Sequence, residues 1–234
     1  MTKKYVTFSF DDGTIHDLRF IKLLDQYGLK CTFNLNSGLF GIKNMLHQGE
    51  LHVDHSKLET EQIAEVYQNH EIAAHTLTHP NLKQTADDEI TRQVGEDAKN
   101  LEALCGYPMI GMAYPCGGDC YDERTIQLIK TTTNIKYART TNQTLDFTPP
   151  KRFLEWHPTV HAKNPAMFDL AEKFLQTAAV EDDLLFYIWG HSYEFEGFHT
   201  WDKIEELFQI LSNKNDIQYV TNGEYYKIRN AKKQ

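Results

Sequence analysis

Glu71-Ile72-Ala73-Ala74-His75-Thr76-Leu77-Thr78-His79-Pro80 is the stretch on which the reading of this chain turns. Residues 71–74 form a short apolar run behind a polar patch, which predicts a buried strand. The two histidines then fall where the strand ends and the chain turns. A single helical turn there brings residues i and i+4 to one side, and two imidazoles on one side can share a metal ion. A second strand end supplies carboxylates. Val6, Phe8 and Phe10 alternate with Tyr5, Thr7 and Ser9, the pattern of a strand, and that run stops at Asp11-Asp12-Gly13.

Outward from these two points the chain alternates strands with helical stripes. Phe20, Leu23, Leu24 and Tyr27 recur at helical spacing, and Cys31 to Leu35 reads as a strand. Ile90, Val94, Ala98, Leu101 and Leu104 mark a long helix with Gly106 just past its end. Further strands are expected at 109–114, 135–138, 184–189 and 217–220, with helices over 122–132, 164–179 and 200–211. Residues 37–57 hold three glycines and three histidines (His47, His52, His55) without a period. They read as a long loop over a site, with solvated histidines. The basic tail 227–234 reads as frayed. Strand and helix thus alternate about seven times, and the polar residues of interest sit at the C-terminal ends of strands. That is the layout of an α/β protein of the (β/α) barrel type, with its site in the loops after the strands. No linker or repeat divides residues 1–234, so one domain is expected.

The totals narrow the function. A net charge of −9 over 234 residues argues against a nucleic-acid binder, because phosphate backbones attract basic surfaces. Residues 1–20 lack a secretory apolar core and no stretch is long and apolar enough for a membrane span. The expected location is therefore the cytoplasm. Four cysteines do not make a disulfide scaffold, and Cys116 and Cys120 read as reduced loop cysteines. Nothing in the sequence speaks to oligomeric state.

Two histidines and one carboxylate make a catalytic zinc set with a position left open. Of two adjacent aspartates, one serves as ligand and its neighbour as general base, because two close carboxylates resist joint ionisation without a cation. Asp-Gly alone is more often only a turn. Paired with His75 and His79 at another strand end, it favours metal chemistry.

Phe10-Asp11-Asp12-Gly13, His75-Thr76-Leu77-Thr78-His79-Pro80, Tyr114-Pro115-Cys116-Gly117 and Ile188-Trp189-Gly190-His191 together resemble the ordered motifs of the polysaccharide deacetylases. This is the NodB-homology group, or carbohydrate esterase family 4, and the resemblance runs from about residue 5 to residue 191. It implies a distorted (β/α) barrel of about seven strands and a divalent metal, zinc first, with cobalt or nickel as alternatives. It implies removal of acetyl groups, N-acetyl before O-acetyl, from a sugar or oligosaccharide. By position, Asp11 is the general base, Asp12, His75 and His79 are the metal ligands, and His191 is the general acid. The Cys116 backbone N–H helps hold the oxyanion, and Tyr114 and Trp156 fall with the substrate-binding residues.

The chain departs from the family pattern at particular places. Ala113 stands where an arginine is often found, Cys116 where an aromatic residue is frequent, and Arg152 where an aspartate is frequent ahead of Trp156. The group that sets the acidity of His191 therefore has no counterpart in the motifs. His161, five residues after Trp156, either fills a polar role there or is a loop histidine, the second being the favoured reading. Glu194 either lines the substrate pocket or is a solvated loop carboxylate. Two other functions compete with deacetylation: a metal-dependent amidase on a non-sugar amide, cyclic for example, and a carbohydrate-binding relative without turnover. Retention of both Asp11 and His191 speaks against the second.

Overall fold

The computed structural model describes residues 3–179 and 182–232. In chain order it contains β1 (Lys4–Asp11), α1 (Asp17–Gln26), β2 (Cys31–Leu35), β3 (Met45–Gln48), β4 (Leu51–Asp54), α2 (Ile63–Val66), β5 (Glu71–Ala74) and α3 (Asp87–Cys105). There follow β6 (Gly111–Ala113), α4 (Glu123–Thr132), β7 (Tyr137–Arg139), β8 (Val160–His161), α5 (Met167–Gln176), β9 (Leu184–Gly190), α6 (Ser192–Gly197), α7 (Trp201–Leu211), β10 (Ile217–Tyr219) and α8 (Asn222–Ala231).

Seven strands form one parallel path in the order β7-β6-β5-β2-β1-β9-β8. β10 joins β1 along Lys4–Val6, below the stretch where β1 pairs with β2. The ends of the path are brought together by residues 156–161. Trp156 bridges to Arg139 of β7, and Val160 and His161 pair with Ile188 and Trp189 of β9. The result is the (β/α) barrel that the alternating pattern predicts, distorted as the family resemblance implies.

Every residue of β1 is buried. Val6, Phe8 and Phe10 belong to the main core packed under the helices. The polar alternates do not face water; they face the inside of the barrel. Thr7 donates to Asn222 Oδ1 (2.9 Å), and Asn34 Nδ2 donates to Ser9 Oγ (2.8 Å) and to Asp11 Oδ1 (2.8 Å). Buried polar groups are tolerated only when paired in this way. The lower interior is filled by Tyr5, Tyr137, Trp156, Leu185, Tyr187, Val220 and Tyr225.

Three expectations change. Residues 37–57 are not an irregular loop, since β3 and β4 pair antiparallel within them. Leu51 and Val53 pack that hairpin on Tyr193. The stretch 58–69, where Ile63, Val66 and Tyr67 at helical spacing predict a full helix, keeps only a short one, α2, after a single 3-10 turn. The basic tail is helical through Ala231, because Thr221 and Glu224 form a capping box and Tyr225 is fully buried. Residues 233 and 234 lie outside the described residues. Among the described residues, no helix is long and apolar enough to cross a membrane.

Candidate functional site

Register sets the site at one rim. Asp11 pairs with Asn34, Phe10 with Gly190, Leu35 with Ala74, Ala74 with Met112 and Ala113 with Arg139. The residues that end or follow these strands are therefore level with one another: Asp11 and Asp12 after β1, His75 after β5, Arg139 ending β7 and His191 after β9. The backbone is strained there. Seven non-glycine residues with positive φ occur among the described residues, and Asp12 (84°), Thr76 (68°), His79 (61°) and Cys116 (72°) are four of them. Such conformations persist where surrounding structure imposes them, which is characteristic of functional loops.

Asp12, His75 and His79 offer ligand atoms that all lie within 4.8 Å of one another. The tautomer of His75 suits a metal. Its Nδ1–H donates to the Ala113 carbonyl (2.9 Å), which leaves Nε2 free. Burial lowers its pKa to about 4, so the ring is neutral. Burial pushes the Asp12 carboxyl upward, but Lys57 and His55 outweigh it and hold the group well below the usual range. This donor set of two imidazoles and one carboxylate fits a divalent transition ion.

His161, His191 and Glu194 are equally close together, but they do not fit an ion. His161 Nδ1 accepts the Lys163 backbone N–H (3.0 Å), so a neutral ring carries its proton on Nε2. That Nε2 stands 3.3 Å from Glu194 Oε2. The group is a carboxylate between two imidazoles, since His191 Nδ1 lies 3.5 Å from the same oxygen.

Asp11 sits between the two clusters. Its Oδ2 is 3.9 Å from His75 Nε2 and 3.9 Å from His191 Nε2. Arg139, fully buried, donates to Asp11 Oδ2 and lies with its guanidinium 4.5 Å over the Trp189 ring. β1 and β7 are not neighbours, so this pair meets across the barrel interior. Burial raises the Asp11 carboxyl, yet Arg139, His75 and His191 together bring it below its ordinary value. His191 is displaced the opposite way. Burial lowers it, but Glu194, with Asp12 and Asp11, raises it to about 9. Glu194 is correspondingly drawn down to about 2 against its burial.

Several sequence-predicted residues are brought together here: Asp11, Asp12, His75, His79, Cys116 and His191. Cys116 is exposed and turns its backbone N–H toward His79 Nε2 (3.4 Å). Trp156 is not at the site. It is 0% exposed inside the lower barrel, packed on Tyr187 and Tyr225, so no sugar ring can stack on it. The Tyr114 side chain is also withdrawn: its ring stacks on Tyr121 at 4.3 Å and its hydroxyl donates to the Leu154 carbonyl. Glu194 is neither solvated nor facing the cleft. It is 6% exposed, backs onto His191 and is paired by Lys163 at 2.8 Å.

The sequence does not single out Arg139, Lys57 or His55, and of the two readings of His161 the structure bears out the polar one, beside Glu194. Lys57 is 4% exposed, with Nζ 3.7 Å from Asp12 Oδ1. His55 Nε2 is 3.5 Å from Asp12 Oδ2, and its ring packs edge-on against Tyr193. No spacing in the sequence marks these residues. The departure at Ala113 was the one available hint for Arg139, because a missing guanidinium asks where another comes from.

The sequence signature of the family described as Polysaccharide deacetylase matches residues 1–136, more than half of the chain. The chain belongs to the polysaccharide deacetylase family. Among solved structures it resembles a carbohydrate esterase family 4 pseudoenzyme from Bacillus anthracis (17% identity, TM-score 0.57, 95% of this chain and 65% of that one). It also resembles a family 4 acetyl xylan esterase from Clostridium thermocellum in complex with a cobalt ion (15% identity, TM-score 0.58, 97% and 92%). At these identities the likeness is one of fold. A Streptococcus pyogenes deacetylase in complex with acetate matches at 27% identity over 58% of this chain and 55% of that one, with a TM-score of 0.48. The chain thus spans 55% and 65% of the Streptococcus and B. anthracis proteins. No curated protein matches it.

Proposed function

We propose that this polysaccharide deacetylase family member is a metal-dependent hydrolase that removes acetyl groups, N-acetyl before O-acetyl, from a sugar or oligosaccharide. The observation that carries the proposal is the placement of Asp11. A carboxylate held below its ordinary pKa stands 3.9 Å from a histidine raised to about 9, beside a two-histidine, one-carboxylate set. Opposed shifts in adjacent groups are how one site holds a base and an acid at the same pH.

Asp12, His75 and His79 are the proposed ligands, zinc being the best fit and cobalt or nickel alternatives. When bound, the ion supplies Lewis acidity to the acetyl carbonyl and the attacking water. Asp11 accepts the proton of that water, oriented by Arg139 and Asn34. The Cys116 N–H lies beside His79 on the same rim, where it can turn to the developing oxyanion. His191 donates its Nε2 proton to the departing nitrogen as the C–N bond breaks, giving acetate and a free amine. Glu194 acts through His191 as a positioning residue, its Oε2 3.5 Å from Nδ1 keeping the ring charged.

Ala113 at the arginine position and the altered residues ahead of Trp156 keep an amidase acting on a non-sugar substrate as the alternative. Arg139 supplies a guanidinium to Asp11 from the neighbouring strand, which supports the deacetylase reading. The fold also serves a pseudoenzyme, but here base and acid are both retained.

The test is acetate release from a panel of acetylated sugars with and without chelator. Release that stops with chelator and returns with zinc is expected. Bound metal with no acetate from any sugar would move the assignment to the amidase.

Glu194→Gln gives a second expected result. His191 is protonated below about 9 and loses its acid form as pH rises through that value. Removing the Glu194 charge lowers that pKa, so the alkaline limb of the rate profile should move to lower pH while KM changes little. An unmoved limb would rule out Glu194 as the group that tunes His191.

A further inference from the structure

The segment that leaves β4 runs beside the loop that carries Asp12. The Ile15 N–H donates to the Ser56 carbonyl (3.0 Å) and the Leu58 N–H to the Gly13 carbonyl (3.1 Å), with Thr14 and Lys57 in an isolated antiparallel bridge. On its other edge, the His55 N–H donates to the Asn44 carbonyl and the Lys57 N–H to the Ile42 carbonyl, both at 2.8 Å. Partners that alternate in this way are those of an extended strand, so His55 and Lys57 share one side. That side faces Asp12. His55 Nε2 stands 3.5 Å from Asp12 Oδ2, Lys57 Nζ stands 3.7 Å from Oδ1, and the two nitrogens are 3.5 Å apart.

Lys57 is buried, which lysine rarely is without a partner. Among the described residues, Asp12 is the one carboxylate within 4.0 Å of its Nζ. The base, the acid and the three proposed ligands leave Lys57 without a part in the reaction, yet its charge is aimed at a ligand. That charge has opposite effects on the two states of the centre. In the empty site the ammonium compensates a carboxylate that is otherwise buried without a cation. Once a divalent ion sits on Asp12, the ammonium is a second cation beside the same carboxylate, and repulsion between buried charges is weakly screened.

We propose that Lys57 is the resident counter-cation of the metal centre. It holds Asp12 ready in the empty site and lowers the affinity of that site for a divalent ion, so the ion stays exchangeable. The β3–β4 hairpin is what delivers it: Leu51 and Val53 pin the hairpin on Tyr193, and the segment after it is zipped to residues 13–15. The inference rests on the Asp12–His75–His79 part of the proposed function and on nothing about substrate, base or acid.

The test is the zinc affinity of the full chain, measured by competition with a chromophoric chelator, for the parent, Lys57→Met, Lys57→Gln and Lys57→Arg. Groups behind a ligand alter metal affinity by about 10–100-fold, and here the sign is inverted: Met and Gln should each hold zinc about tenfold or more tightly than the parent. Zinc-free, both should melt below the parent, and zinc should raise their melting temperature by more. Gln keeps a donor for Asp12 without the charge, and it carries the test if Met does not fold. Arg keeps the charge and should keep the parent affinity. Zinc held no more tightly by Met and Gln than by the parent, or as tightly by Arg as by Met, would overturn the inference and leave the metal centre standing. Zinc bound by none of the four chains would overturn both.

Discussion

Asp11→Asn should lower turnover by about 10²–10⁴ while leaving the bound metal in place. Asp11 Oδ2 is held by Arg139 and Oδ1 by Asn34, and the proposed metal-ligand set is Asp12, His75 and His79. Asparagine keeps the size and one carbonyl oxygen for these donors, so ligand geometry is preserved while the proton acceptor is lost. The measurement is kcat together with metal content per chain. Loss of metal in this variant would make Asp11 a ligand and not the base. Retained turnover would move the base elsewhere.

Arg139→Met should be the most destabilising single change at the site, by about 3–5 kcal/mol, the scale for removing one partner of a buried ion pair. Arg139 is 0% exposed and Asp11 is 3% exposed, so methionine fills much of the space but leaves a carboxylate buried without its cation. The sign with pH follows. Asp11 now lies below its ordinary pKa, so its share of stability is present above the unfolded value and lost as pH falls through the folded one. Without Arg139, burial dominates and the carboxyl rises. The acid limb of the rate profile should then move to higher pH. Urea unfolding measures the stability loss. The double variant Asp11→Asn with Arg139→Met should recover part of it, because the orphaned charge is gone. A single Arg139→Met variant as stable as the parent would contradict the pairing.

These two residues mark what the sequence disclosed and what it hid. Asp11 was legible because it ends an alternating run, and the same alternation that puts Val6, Phe8 and Phe10 in the core turns Asp11 inward. His75 and His79 were legible from their spacing after a short apolar strand. Arg139 was not, because its partner lies 128 residues away and the contact exists only through the β6–β7 register that sets Ala113 beside Arg139. The arginine comes from the adjacent strand, one lateral step from the position where the motif would carry it. Glu194 stands three residues from His191, but no spacing in the sequence marks the turn between them. His191 is the extended N-cap of α6, and the Glu194 N–H donates back to its carbonyl (3.2 Å), which is what brings the carboxylate behind the ring. Trp156 misled in the other direction. Its motif placed it with the substrate-binding residues, whereas closing the barrel between β7 and β8 draws it into the lower core. The α8 cap, Thr221-x-x-Glu224, was present in the sequence but overshadowed by the basic tail after it.

The most direct measurement is the metal content of the purified chain beside that of His75→Ala. His75 presents a neutral ring with Nε2 free and is 1% exposed, so its loss opens the ligand set at its most buried member. One tightly held divalent ion per parent chain, absent from the variant, is the expected result. No ion in the parent, or an equal amount in both, would contradict the Asp12–His75–His79 centre and the reaction built on it.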